Sequence, residues 1–76
     1  MTQSEWKSIF GNNLVDLMAE KGLTQSQLAR DAGLSVSRIN DYIKENATPS
    51  IFAVINLAYA LDMDVGELVD FDERIE

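Results

Sequence analysis

Residues 35–44 carry hydrogen-bonding side chains at helical spacing. The positions that would face outward on such a helix are Ser35, Val36, Ser37, Asn40, Asp41 and Lys44. The side chains at the start of the run are short, so this end of the helix can approach a partner closely. Serine, asparagine, aspartate and lysine donate or accept hydrogen bonds. The pattern therefore predicts a surface that recognises a partner.

Catalytic and metal chemistry find little support in the sequence. There is no histidine and no cysteine, which excludes disulfides and the usual zinc ligand sets. Asp62, Asp64 and Glu67 could suggest calcium, but they lack the loop glycine and terminal bidentate glutamate of a calcium loop. Helix capping explains Asp64 better. We therefore expect no enzyme activity, no metal and no cofactor.

Length and composition predict one globular domain over residues 1–76. The chain is 46% hydrophobic and 25% charged, which is ordinary for a folded protein. No apolar run approaches the ~20 residues needed to span a bilayer. The start, MTQSEWK, has no apolar core of a signal peptide. We expect no membrane association, and the absence of cysteine fits a reducing cytoplasm.

The net charge of −7 is unevenly distributed. Residues 20–50 contain four acids and four bases, whereas residues 51–76 contain seven acids and one base, Arg74. A nucleic-acid binder is expected to carry a basic face, so the net negative charge argues against this function. The neutral middle segment weakens that argument. We interpret the acidic excess, including a short tail at 70–76, as a solvated surface that keeps the protein soluble.

Apolar residues recur with a helical period along the whole chain, which predicts an all-α fold. The first helix is expected to begin near Ser4, a good N-cap, and to end at Lys21 before Gly22. Gly11 lies inside this run and weakens the helix there. The inward stripe comprises Trp6, Phe10, Leu14, Leu17 and Met18, with Ile9 at its edge.

Two short helices follow, separated by one glycine. Thr24 and Gln27 form a capping box for the second helix, Gly33 ends it, and Ser35 caps the third. Ala29 is small enough to let the two helix axes approach. The expected inward residues are Leu28, Ala32, Leu34, Ile39, Tyr42 and Ile43.

A loop at 46–50 with the only proline, Pro49, precedes a fourth helix opened by Ser50 or Pro49. Asp64 is expected to cap a short fifth helix. The apolar side of the fourth helix is predicted as Ile51, Val54, Ile55, Ala58 and Leu61, and that of the fifth as Val65, Leu68 and Val69.

The stretch GLTQSQLARDAGLSVSRINDYI resembles the helix-turn-helix of the phage Cro/repressor-type (XRE-like) family. The following NATPSIFAVINLAYALDMDVGELV is similar to that family's loop, fourth helix and fifth helix, so the resemblance covers about residues 10–69. It implies a five-helix, lambda-repressor-like DNA-binding domain with its motif at 25–44. Such a domain binds double-stranded DNA, usually as a dimer, with its third helix in the major groove.

The resemblance also implies roles for individual side chains. Asn40 could pair with adenine, Val36 could contact a thymine methyl group, and Asp41 could accept from cytosine while repelling phosphates. The residues expected to face base edges are Ser35, Val36, Ser37, Asn40 and Asp41. Those expected to lie near phosphates are Gln25, Arg38, Lys44, Asn46 and Thr48.

Three departures from the family pattern stand out. Met18 and Ile43 occupy positions where the family often has an arginine and a glutamate paired across the core, so we predict that these two side chains touch. Glu45 replaces a frequent glycine at the end of the third helix. The loop that follows lacks the usual basic residues, which reduces phosphate attraction and predicts a shallow salt dependence.

Two functions remain open from the sequence. The first is a sequence-specific, repressor-like transcriptional regulator that binds a two-fold operator as a homodimer. The resemblance implies a bacterial or phage-encoded protein that is cytoplasmic and associated with the nucleoid. The alternative is a protein-interaction module on the same fold, an antitoxin or antirepressor component, which the acidic final third and a protein partner would fit. Candidates for the dimer surface are Phe52, Tyr59, Met63, Leu68 and Phe71.

Overall fold

The computed structural model describes residues 1–69, which contain five α-helices and no strand, as the all-α prediction requires. The tail at 70–76, including Phe71, lies outside the described residues. None of the helices within 1–69 is long and apolar enough to cross a membrane. The helices are α1 (Gln3–Lys21), α2 (Gln25–Ala32), α3 (Val36–Ile43), α4 (Ile51–Ala60) and α5 (Val65–Leu68).

Local hydrogen bonds begin the middle helices where the sequence predicted. The Thr24 hydroxyl accepts from the Gln27 backbone N–H at 3.1 Å, and the Gln27 side chain accepts from the Thr24 N–H at 2.9 Å. The Ser35 hydroxyl accepts from the Arg38 N–H at 3.1 Å. The Ser50 hydroxyl accepts from the Ala53 backbone N–H at the same distance. Each cap satisfies backbone donors that the first helical turn leaves unpaired.

The start of α1 differs from the prediction. Thr2, not Ser4, is the N-cap, and its hydroxyl accepts from the Glu5 N–H at 3.1 Å. The Glu5 carboxylate accepts from the Thr2 N–H at 3.0 Å, which completes a capping box. A box needs an acceptor three residues after the cap. Thr2 has Glu5 at that position, whereas Ser4 has Lys7, which cannot accept.

Four of the helices end in the same left-handed turn. Gly22 and Gly33 have φ of 68° and 69°, and Glu45 and Asp62 have φ of 64° and 56°. In each turn the next residue donates its backbone N–H to a carbonyl five positions back, as in a Schellman motif. These bonds are Leu23 to Met18 at 2.9 Å, Leu34 to Ala29 at 2.9 Å, Asn46 to Asp41 at 2.8 Å, and Met63 to Ala58 at 3.0 Å.

The core lies where α1 packs against α3 and α5, and α2 against α3 and α4. Phe10 is at its centre: its ring stacks on Trp6 at 5.1 Å and meets the edge of Tyr42 at 6.3 Å. Burying each large apolar side chain contributes about 1.5–3 kcal/mol. The large side chains with essentially no exposure are Phe10, Leu14, Leu28, Ile39, Leu57, Leu61 and Leu68.

The buried side of α4 is rotated from the predicted one. Ile51 and Ile55, expected to face inward, are exposed, whereas Ala53 and Leu57 are buried beside Val54, Ala58 and Leu61. Nine of the ten α4 residues are apolar, with Asn56 the exception, so hydrophobic period does not select a face. Packing against α2 and α5 selects it instead.

Two further expectations involve the ends of the core. Leu68, a candidate for the dimer surface, is fully buried, and its carbonyl accepts from the Asn13 side-chain amide at 3.4 Å. Leu68 is therefore unavailable to a partner. Met18 is buried and Ile43 is half-buried against the same core. Direct contact between those two side chains stays a prediction.

Candidate nucleic-acid interface

The turn between α2 and α3 sets the direction in which α3 projects. Gly33 takes φ of 69°, a left-handed conformation that glycine adopts without steric cost. Leu34 then donates back to Ala29, and Ser35 begins α3 at once. Ala29 is buried, as expected for a small residue at a close approach of the helices. Ile39 and Tyr42 anchor the inner side of α3 in the core.

The outer side of α3 remains accessible. Ser35, Val36, Ser37 and Arg38 are exposed at its start, while Asn40 and Asp41 are half-buried one turn later. The Ser35 hydroxyl already accepts a hydrogen bond as the N-cap, so its remaining capacity is chiefly that of a donor. The structure thus places all five residues predicted to read bases on or at the start of one helix, with the polar side outward.

Four of the five residues predicted to lie near phosphates fall into two groups. Arg38 and Thr48 line one shallow depression of about 240 Å³ together with Asp41. Lys44 and Asn46 are exposed just beyond the end of α3. Gln25 stands apart, half-buried at the first position of α2. An anion at this depression would meet the Asp41 carboxylate as well as the Arg38 guanidinium, so the two side chains oppose each other electrostatically.

Gln3 also lies at this surface, although no sequence pattern predicts it. Its side-chain amide donates to the Thr48 hydroxyl at 3.0 Å, across 45 positions of the chain. This bond holds the start of α1 against the loop between α3 and α4. No local sequence pattern predicts this hydrogen bond, because Gln3 and Thr48 are far apart in the chain.

The start of α1 also carries a carboxylate, Glu5, whose environment is perturbed. The Thr2 backbone N–H, and then the Thr2 side chain, hydrogen-bond to the Glu5 carboxylate and lower the pKa of Glu5 below its ordinary value of 4.5. Glu5 is therefore ionised at neutral pH. Its negative charge serves the helix cap.

Glu45 follows α3 in a left-handed conformation, which glycine adopts more readily than other residues. Its φ is 64°, a region that costs a non-glycine residue about 1–2 kcal/mol. Its side chain is exposed between Lys44 and Asn46. An acidic residue thus lies among the side chains predicted to approach phosphates, and it weakens the attraction of that segment for an anion.

Comparison with protein families gives one match that spans most of the chain. Residues 13–74 match the model of the Cro/C1-type HTH DNA-binding domain. A search of curated proteins found no match.

Solved structures include several with the same fold. The restriction-modification controller protein C.AhdI from Aeromonas hydrophila is 34% identical, with a TM-score of 0.79, covering 82% of this chain and 94% of its own. An HTH_3 family transcriptional regulator from Vibrio cholerae is 22% identical, with a TM-score of 0.88, over 97% of this chain and 42% of its own. The hypothetical transcription factor NHTF from Neisseria is 16% identical, with a TM-score of 0.82, over 100% of this chain and 91% of its own. The last two show the fold alone.

Proposed function

Because the chain belongs to the Cro/C1-type helix-turn-helix DNA-binding family and is a DNA-binding transcriptional regulator, we propose that it binds a two-fold operator as a homodimer. In this proposal α3 enters the major groove of each half-site. The two half-sites lie about 34 Å apart, one turn of the duplex. The protein acts in a repressor-like manner, by occluding polymerase, and residues 1–76 form one domain.

The observation that carries this proposal is the two-sided character of α3. Its inner side is held by Ile39 and Tyr42 in the core, and Tyr42 meets Phe10 of α1 edge-on. Its outer side exposes short polar side chains at the N-terminal end. A helix fixed in this way can enter a groove about 12 Å wide without rearrangement of the core.

The residues predicted to read bases support a sequence preference at a few positions of the operator. Asn40 has the amide geometry for a bidentate pair with adenine, and Val36 can contact a thymine methyl group. Ser35 and Ser37 can donate to either base or phosphate. Asp41 can accept from the cytosine amino group, and its charge disfavours sequences or registers that bring a phosphate near it.

Few of the residues predicted to contact phosphates are charged, and this limits the affinity for DNA. Arg38 and Lys44 are its only cations, and Gln25, Asn46 and Thr48 contribute neutral hydrogen bonds. The salt dependence of binding scales with the number of phosphates neutralised, so we expect a slope of only a few units. One protomer then binds weakly, and useful affinity requires two protomers on one operator.

We further propose that the protein acts in the cytoplasm by binding alone, without catalysis or a cofactor. The 34% identity to a restriction-modification controller protein supports a regulatory role. The alternative, a protein-interaction module on the same fold, predicts that α3 has no preference among duplex sequences.

Selection from a pool of random duplexes at low and high salt tests the proposal. Wild-type protein should enrich a palindromic consensus with half-sites one helical turn apart. Asn40→Asp, which adds a negative charge to α3, should lose the enrichment. Asn12→Asp adds the same charge at an exposed position of α1 and should retain it. If wild-type protein enriches no sequence, the proposed regulator is rejected in favour of the interaction module.

A further inference from the structure

Thr48 lies at the border between two surface depressions. One is the depression of about 240 Å³ that Arg38 and Asp41 also line. The other is a groove of about 290 Å³ at the start of α1, whose lining includes Gln3 and Trp6. Within residues 1–69 the side chain of Thr48 makes one hydrogen bond, which it accepts from the Gln3 amide at 3.0 Å. A bond from α1 thus reaches a residue that is predicted to lie near a phosphate.

The direction of this hydrogen bond determines what the Thr48 hydroxyl can still do. A threonine hydroxyl has one O–H donor and two acceptor lone pairs. The Gln3 Nε2 donates to the Thr48 Oγ1, so it occupies one lone pair and excludes the hydroxyl hydrogen from that direction. The hydrogen therefore points away from Gln3. Thr48 remains a donor, which is what an approaching phosphate oxygen requires, because that oxygen can only accept.

Local structure fixes the backbone at both ends of the bond. Gln3 is the first residue of α1, where the capping box of Thr2 and Glu5 holds the chain. Thr48 precedes Pro49, which is buried, and a residue before proline favours extended conformations. Thr48 is also β-branched, so few rotamers are open to its side chain. The hydroxyl is therefore held on a stiff segment, and Gln3 has only to orient its hydrogen.

We propose that Gln3 is a positioning residue for DNA binding, which keeps the Thr48 hydroxyl oriented as a donor to a backbone phosphate. This inference rests on the proposed function, in which Thr48 lies near a phosphate. Arg38 lines the same depression as Thr48, and its guanidinium also only donates. The two side chains can therefore donate to one anion. Gln3 contributes to this contact through Thr48 and does not itself touch the DNA.

Exchanging the Gln3 amide for a carboxylate reverses the hydrogen bond. An ionised carboxylate only accepts, so Gln3→Glu takes the Thr48 hydrogen in a charge-assisted bond and leaves only oxygen lone pairs for the phosphate. Ser4→Glu is the matched control, because it adds the same charge at an exposed neighbouring position in the first turn of α1. We expect Gln3→Glu to weaken DNA binding about fivefold more than Ser4→Glu does.

Fluorescence anisotropy with a short labelled duplex of mixed sequence measures these affinities at low salt, because phosphate contacts do not depend on the base sequence. Gln3→Ala removes the donor without adding charge and should weaken binding about two- to threefold. Its salt slope should equal that of wild type, since a neutral side chain neutralises no phosphate. Thr48→Ser keeps the hydroxyl and should bind as wild type does, whereas Thr48→Val should bind more weakly. Circular dichroism checks that each variant folds.

A double-mutant cycle distinguishes positioning through Thr48 from a general structural role of Gln3. In the Thr48→Val background, Gln3→Ala should have no further effect on DNA affinity, and Gln3→Glu should have the same effect as Ser4→Glu. A structural role would weaken binding equally in both backgrounds. The proposal is overturned by that result, or by equal affinities of Gln3→Glu and Ser4→Glu when Thr48 is present.

Selection from random duplexes separates failure of this inference from failure of the proposed function. If no sequence is enriched, but Gln3→Glu weakens binding to the mixed-sequence duplex more than Ser4→Glu does, the positioning role stands and the sequence-specific regulator is rejected. If wild-type protein enriches a palindrome and the two glutamate variants bind alike, only the positioning role is rejected. A wild-type protein that binds no duplex rejects both.

Discussion

Gly11 of α1 lies directly against the carbonyl oxygen of Tyr42 in α3. A Cβ atom at position 11 would be 2.9 Å from that oxygen and 3.2 Å from the carbonyl oxygen of Ile43. Both contacts are with backbone atoms, which cannot move away by a change of rotamer as a side chain can. The absence of a side chain at Gly11 thus allows α1 and the end of α3 to pack at this distance, and α1 continues through the glycine without interruption.

Gly11→Ala should destabilise the protein even though alanine favours helices. The added methyl group forces α1 and α3 apart, at a cost of about 1–3 kcal/mol. Gly66→Ala is the matched control, because a Cβ on Gly66 in α5 meets nothing within 4 Å. That substitution should raise stability by about 0.5–1 kcal/mol through helix propensity. Urea unfolding followed by circular dichroism measures both, and a Gly11→Ala midpoint at or above wild type contradicts the packing described.

Glu45→Gly should increase both stability and DNA affinity. Removing a non-glycine residue from the left-handed region gains about 1–2 kcal/mol, partly offset by the extra backbone freedom of glycine in the unfolded chain, so a net gain of about 0.5–1 kcal/mol is expected. The lost negative charge strengthens phosphate attraction at the end of α3.

Two variants separate these effects. Glu45→Gln removes the charge and keeps the strained backbone, so it should improve DNA affinity alone. Asp62→Gly removes a charge and a left-handed aspartate, φ 56°, in the turn before α5, so it should leave half-site binding unchanged at physiological salt. Thermal unfolding and titration of a labelled half-site duplex measure the set. If Glu45→Gln and Asp62→Gly change the half-site affinity equally, the effect assigned to the Glu45 charge is wrong.

Asn40→Ala and Arg38→Ala should impair DNA binding in different ways. Loss of a bidentate base contact relaxes preference at one operator position by about 1–3 kcal/mol. Loss of a phosphate contact weakens binding to all sequences alike and lowers the salt slope by about one unit. Arg30→Ala, at an exposed position of α2, controls for removal of an arginine. If Arg38→Ala changes the preferred sequence, the assigned roles are wrong.

Met18 and Ile43 should be energetically coupled. Residues in contact give coupling energies of about 0.5–3 kcal/mol in a double-mutant cycle, whereas distant residues add within about 0.3–0.5 kcal/mol. The cycle of Met18→Ala, Ile43→Ala and the double variant, measured by urea unfolding, tests the contact. Met18 is buried, so Met18→Glu should cost several kcal/mol whether or not the two side chains touch.

The cap of α1 should weaken in acid. The folded pKa of Glu5 is lowered from 4.5 by hydrogen bonds from Thr2, so its contribution to stability is present above about pH 4.5. That contribution is lost as the pH falls through the lowered folded pKa. Thr2→Ala should return the pKa of Glu5 towards 4.5 in a carboxyl NMR titration. An unchanged pKa in that variant would show that the cap does not hold the carboxylate.

The helical period, the caps and the polar outward residues of α3 predicted the five helices and the exposed face of α3, and the family match confirmed the resemblance over about residues 10–69. Three features were not anticipated. The N-cap at Thr2 was visible in the Thr2–Glu5 spacing but was passed over for Ser4. The Gln3–Thr48 bond had no local signal, and the α4 prediction chose the wrong face of an almost wholly apolar helix.

Hydrogen bonding over three to five residues determined where most helices begin and end, because a cap and its partner are close together in the chain. Thr24, Ser35 and the left-handed Gly33 therefore specify the helix pair from sequence alone. Which side of α4 is buried depends on the surfaces of α2 and α5. The need for a glycine at position 11 of α1 depends on the backbone of α3. Only tertiary packing decided those features, because the atoms that determine them are distant in the sequence.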